Sequence, residues 1–191
     1  MRDQNRPAEW KANPQALADL GRRTRDNYTG TPELRSHEAD GDTWLTPRYI
    51  LDHLGKFDLD PCAAESNPTW AAPNYFTKAD DGLTIPWFGR VWCNPPFSDV
   101  RPWIIRHRNY FSGILLTTAG IESRIWREIV WPSAKAIYLL HGRTRFAKPD
   151  GSPTTGRPLR SIALIAWKDA DAEILAAAPF AGVLLQSWKQ K

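Results

Sequence analysis

The chain has 191 residues, 42% of them hydrophobic and 24% charged, the make-up of one medium globular domain rather than of a disordered or fibrous chain. Its net charge of +4 is mildly basic, which suits a nucleic-acid partner without requiring one. Two cysteines exclude a disulfide framework and a zinc site, and no apolar run approaches a membrane span, so a reduced, cytoplasmic setting is expected.

Residues 1–41 read as a polar, Pro-punctuated extension, partly ordered. NPQALADLGRRTRDNY predicts one helix with Asn13 as N-cap and Pro14 at its first position, and TGTPELRSHEADGD a linker. Seven Lys/Arg balance seven Asp/Glu over residues 1–40, so this arm is no polybasic tail. From residue 42 the pattern tightens into a single domain, 42–191. TPRYILDHLG predicts a short helix with Thr46 as N-cap and Gly55 as its stop. KFDLDP, PNYFTK and GRVWCNPP are short strands, the first and third ended by proline. VRPWIIRHRNYF is a helix, since Pro102 is tolerated in a first turn. GILLTTAG is a buried strand, ESRIWREIVW a helix, AKAIYLLHG and RSIALIAW strands, ADAEILAAA a helix and FAGVLLQSW a last strand.

Strands alternating with helices imply an α/β fold with a mainly parallel sheet. Such sheets take ligands beyond the carboxyl ends of their strands, near a switch in strand order. Two unusual tetrapeptides, DPCA (60–63) and NPPF (94–97), fall at strand ends. Consecutive prolines fix the backbone after Asn94, so its amide oxygen and the Pro95 carbonyl can both accept from one amino group while Phe97 offers a ring face. Two acceptors and a stacking plate suit the exocyclic amine of a nucleobase, which must leave a duplex to reach them. The plain alternative is a Pro-rich turn whose Asn caps Ser98–Asp99 and whose Phe fills core; on the tetrapeptide alone, the two readings stand even.

The order WLTP (44–47), LDPCA (59–63), DDGL (80–83), WCNPPF (92–97) and HGRTRF (141–146) resembles the phage-type DNA N6-adenine methyltransferases, the Dam family, over roughly residues 42–168. The resemblance implies a Rossmann-like class I fold that uses S-adenosylmethionine. It gives Asn94, Pro95, Pro96 and Phe97 to the target adenine. It sets Asp60, Pro61, Cys62 and Ala63 beside the methionine part of the cofactor, and Thr46 and Pro47, with Trp44 before them, at its carboxylate. Asp80 or Asp81 would meet the cofactor ribose or adenine. Cys62 and Cys93 would end neighbouring strands, close beneath the cofactor; amine methylation needs no thiolate, so both read as packing residues. The usual Gly-rich turn after the first strand is replaced by DPCAAESN.

The insert 141–160 carries five Lys/Arg and one Asp, and Arg143, Arg145, Lys148 and Arg157 are its expected phosphate contacts on double-stranded DNA. Trp87, Trp92 and Trp103 read as core, His107 and His141 as structural or surface residues. No metal and no membrane enter this reading. Two rivals remain: the same fold acting on cytosine N4, RNA adenine or a protein amide, and a DNA-binding protein on a methyltransferase scaffold that no longer binds cofactor.

Overall fold

The runs Val91–Cys93, Gly113–Thr118, Ala136–Leu140 and Ile162–Ala166 are almost wholly buried and show no polar alternation, the pattern of strands covered on both faces. In the computed structural model, which describes residues 43–66, 69–142, 144–154 and 161–188, they form the middle of a seven-stranded sheet. The chain divides into two units, Met1–Gly41 and Asp42–Lys191, and every described residue belongs to the second. The helix expected near residues 13–28 lies outside the described residues.

In chain order the elements are α1 (Arg48–Leu51), β1 (Leu59–Asp60), β2 (Asn74–Tyr75), β3 (Val91–Cys93), α2 (Val100–Tyr110) and β4 (Gly113–Thr118). A π-helical turn (Trp126–Val130) then runs into α3 (Trp131–Ser133), followed by β5 (Ala136–Leu140), β6 (Ile162–Ala166), α4 (Asp169–Ala177) and β7 (Gly182–Gln186). The wide turn precedes Pro132, which has no N–H for the carbonyl four residues back. Helix α2 ends where Phe111 turns left-handed at φ 76°, its N–H donating to the His107 carbonyl.

The strand order is β2-β1-β3-β4-β6-β5-β7. The pairs β1–β2, β1–β3 and β3–β4 are parallel; β4–β6, β5–β6 and β5–β7 are antiparallel. The sheet is therefore mixed, not mainly parallel as the alternation of strands and helices suggested. The cause lies in two connections. No helix is described between β5 and β6, so those strands pair as a wide hairpin, and α4 carries β6 across to β7 with β5 between them.

Side-chain alternation along each strand feeds two cores. Trp92, Ile114, Leu116 and Leu164 face Ile50, Leu54 and Leu175 of the α1–α4 layer. Val91, Cys93, Leu115 and Ile165 face Ile104, Trp126 and Trp167 on the other side. Each fully buried aliphatic or aromatic side chain contributes about 1.5–3 kcal/mol. His107 sits at 0% exposure in the second layer against Trp87 and Trp167; burial pushes its pKa down to about 4, so it is neutral at physiological pH.

The amino ends of β3 and β4, in the middle of the sheet, are pinned by one ion pair with a buried carboxylate. Asp171 accepts from Arg90 Nε and from the Gly113 N–H, both at 2.7 Å, while Arg90 Nη1 donates to the Leu54 and Lys56 carbonyls. Gly113 is required there: its φ is 108°, and an added Cβ would stand 1.9 Å from the Val91 carbonyl oxygen.

Candidate active site

From β1 the chain passes to β2 on one flank, and β3 then returns to the other flank of β1. Connections diverge beyond the carboxyl ends of β1 and β3, and a crevice opens between them. Those ends are Asp60-Pro61-Cys62 and Cys93-Asn94-Pro95, so both tetrapeptides reach the switch point.

Asp60 is 7% exposed, and burial raises its carboxyl from 3.8 to about 7 even though the Cys62 N–H donates to its Oδ1 at 3.1 Å. Cys62 and Cys93 meet at 3.8 Å between sulfurs, as expected for neighbouring strand ends. Burial raises both thiols, so neither supplies a ready thiolate.

Asn94 is held by its own amide: Nδ2 donates to the Trp44 carbonyl at 2.7 Å. Its Oδ1 is buried and has no hydrogen-bond partner. Such an acceptor is costly unless something donates to it. A second unpartnered buried atom on the same cleft is Thr46 Oγ1. Thr46 does not cap the following helix as expected. The N-cap is Pro47, which leaves the Thr46 hydroxyl free of the helix end. Trp44, Thr46, Asp60, Cys62, Ala63 and Asn94 line one cleft, completed by Thr43, Leu45, Ala64, Trp70, Ala71 and Trp92. The cleft is tight, with a volume of about 10 Å³. The Thr46 carbonyl is tethered to Trp70 Nε1 at 2.7 Å, and Arg48 lies over the Trp70 ring at 4.3 Å.

Pro95 is buried behind Asn94, and Pro96 leads into a 3₁₀ turn, Phe97–Asp99. Phe97 is half-buried and meets Phe146 edge to face at 5.9 Å. Pro61 is buried beside the cleft, and Pro47 is half-buried at the start of α1. Asp80 and Asp81 do not line the cleft. Asp80 Oδ2 accepts from Thr77 N and Oγ1, which holds its carboxyl below the usual range, and Asp81 stands exposed at φ 54°. Gly82 follows these acids in sequence. An added Cβ there would stand 1.9 Å from the Pro61 carbonyl oxygen, so the DDGL turn rests directly on the end of β1. The chain lacks a glycine directly after β1, and Gly82 is the glycine that packs on the backbone there. Sequence reasoning missed this role, together with Trp70 and Phe146; a Gly directly after paired acids was the available signal for the first.

A second hollow, an open groove of about 440 Å³, runs beside α2 between Leu83, Trp87, Ile105 and Arg106 and is separate from Asn94. Of the basic loop, Arg145 and Lys148 are described and exposed, while Arg143 and Arg157 lie outside the described residues. The described part is anchored: Leu45 and Ala147 exchange backbone bonds at 2.9 and 3.0 Å. Among the described residues no helix is long and apolar enough to cross a membrane, and no three His, Cys, Asp or Glu are grouped to hold a metal ion.

Comparison with known proteins bears on this site. The chain is 33% identical over 122 residues to the DNA N-6-adenine-methyltransferase of Haemophilus phage HP1, covering 57% of this chain and 68% of that protein. It is 35% identical over 78 residues to a protein of the same name from Escherichia phage T1, covering 37% of this chain and 30% of that one. No solved structure matches. The family model described as DNA N-6-adenine-methyltransferase (Dam) matches residues 34–178, which takes in β1 through α4 and both tetrapeptides, and the chain belongs to that family.

Proposed function

We infer that this chain transfers a methyl group from S-adenosylmethionine to the N6 amino group of adenine in double-stranded DNA. The observation that carries the reading is Asn94. A buried, partnerless amide oxygen, aimed by a hydrogen bond from its own nitrogen to Trp44, waits at the switch point for a donor. Adenine N6 is such a donor. Order and sense of the first six strands support a class I methyltransferase arrangement, with a reversed strand, β6, set into the order beside β4.

The cleft chemistry suits the cofactor. Thr46 Oγ1 is an unused hydroxyl for its carboxylate, Asp60 a buried carboxyl for a cationic group, and Ala63 and Ala64 are small enough for close approach. When bound, the cofactor supplies an electrophilic methyl on a positively charged sulfur. The rest falls to the chain. Asn94 Oδ1 and the Pro95 carbonyl accept the two N6 hydrogens, which favours a pyramidal nitrogen and directs its lone pair away from the ring. Phe97 holds the base plane. The nitrogen would gain the methyl carbon as its bond to the sulfonium sulfur breaks and leaves a neutral thioether, and the proton, made acidic by the new bond, would pass to water, so no strong base is required. Rate enhancement comes from positioning and fixed dipoles.

Arg145 and Lys148 would meet backbone phosphates beside this site, and Arg143 and Arg157 would add phosphate contacts. The decisive experiment incubates mixed-sequence duplex DNA, and RNA in a parallel reaction, with labelled cofactor, analyses the nucleosides, and measures cofactor and DNA binding by calorimetry. Label in N6-methyladenine is expected. Label in N4-methylcytosine, label in RNA alone, or DNA binding without cofactor binding would each replace the reading with a rival.

A further inference from the structure

We propose that Phe146 is a positioning residue for methyl transfer, orienting the ring of Phe97 and tying it to the loop that grips DNA. The proposal rests on the reading above, since it concerns how the base plate is held.

Three observations carry it. Phe146 stands edge to face with Phe97, ring centres 5.9 Å apart and planes at 79°, an arrangement that fixes the tilt of both rings. Both rings are half-buried on the border of the first core rather than inside it, so they touch at the rim and not in the packing interior. The backbone around Phe146 is also braced: its carbonyl accepts from Thr154 Oγ1 at 3.0 Å, and Lys148 N donates to the Ser152 carbonyl at 2.8 Å.

The neighbours give this ring pair its meaning. Arg145 and Lys148 flank Phe146 and Ala147 and are exposed, while the two residues between them turn to the protein. Ala147 pairs with Leu45, and the carbonyl one residue earlier, on Trp44, holds the Asn94 amide. Phe146 and Ala147 thus reach both ends of the NPPF segment, Phe97 ring to ring and Asn94 through the Trp44–Leu45 strap. A phosphate drawn to Arg145 or Lys148 pulls on a rigid segment whose inner side sets the base plate. Docking of DNA and alignment of the base are coupled by geometry.

The test uses the full chain and begins with the wild type. Its methylated adenine is mapped on duplex DNA, and that position is then replaced by 2-aminopurine, whose fluorescence rises when it leaves the stack. Phe146→Leu should lower kcat by about tenfold to a hundredfold, the scale of a slightly misplaced reactant. The 2-aminopurine signal should change, while cofactor affinity by calorimetry stays within about twofold on the same reasoning. Phe146→Tyr, which keeps the ring, should restore the rate. If Phe146→Leu does not fold, Phe146→Met serves in its place. A double-mutant cycle with Phe97→Leu should show that the two losses do not multiply. Unchanged kcat and fluorescence, fully multiplicative losses, or parallel loss of cofactor binding without rescue by tyrosine would each overturn the proposal. A wild type that leaves adenine unmethylated defeats the functional reading instead, and the two failures are told apart at the first step.

Discussion

Asn94→Ala removes two interactions of one side chain that act on different observables. Oδ1 is the unpartnered acceptor, and its loss takes one fixed dipole from the transition state, about 10²–10³ in kcat or roughly 3–4 kcal/mol. Nδ2 anchors the side chain to the Trp44 carbonyl at 2.7 Å; losing that bond costs about 1 kcal/mol of stability, a drop of about 2–4 °C in Tm for a chain of this size. The expected result is a large loss of rate in a nearly intact fold. Single-turnover transfer of labelled methyl to duplex DNA reads the first effect and a thermal melt the second. Asn94→Asp sharpens the test. An oxygen in place of Nδ2 would face the Trp44 carbonyl, so the variant should recover activity as pH falls and its carboxylic acid regains a donor. An Asn94→Ala enzyme within about threefold of wild-type kcat would strip Oδ1 of its assigned role, because a lost fixed dipole costs far more.

Three further outcomes follow from the same geometry. Asp60 has a pKa of about 7 in the folded protein against an ordinary 3.8, so the folded state holds a proton that the unfolded chain releases between those values, and stability falls as pH rises through the window. His107 acts in the opposite sense between about 4 and 6.5, because the unfolded chain takes up the proton there. Urea melts should therefore show Asp60→Asn gaining on the wild type by about 1.4 kcal/mol per pH unit from pH 4 towards 7, and a gap that ignores pH would count against the buried carboxyl. Gly82→Ala should displace the DDGL turn from Pro61 and abolish measurable cofactor binding in calorimetry; ordinary binding would separate that turn from the site. Neutralising Arg143, Arg145, Lys148 and Arg157 together should flatten the salt dependence of DNA binding by about 0.9 in log–log slope for each phosphate no longer neutralised, and an unchanged slope would leave the loop without a DNA role.

The half of the fold that holds the site was the more legible in sequence. Proline after Asp60 and after Asn94 marks strand ends unmistakably, and strand ends are where an α/β sheet gathers its chemistry. Strand sense in the other half was not legible: AKAIYLLHG and RSIALIAW are apolar between their ends and carry no mark of direction. The Pro and Gly content of 141–160 reads as a loop or hairpin between two apolar strands, and β5 and β6 on either side of it do pair antiparallel. Thr46 misled for a physical reason, since Thr before Pro is a good helix start; here the backbone of Pro47 takes that position and the hydroxyl is left to the cleft. The Trp44–Asn94 and Phe97–Phe146 pairs join residues about fifty apart, and no local pattern encodes them.

The wide hairpin of β5 and β6 bears on how such enzymes diverge. Because one strand arrives at the catalytic edge and the next departs from it, the segment between them begins and ends at the same place. It can lengthen, shorten or be exchanged at little entropic cost without rethreading any strand. Changes in that segment therefore leave the ends of β1 and β3, where Asp60 and Asn94 stand, untouched.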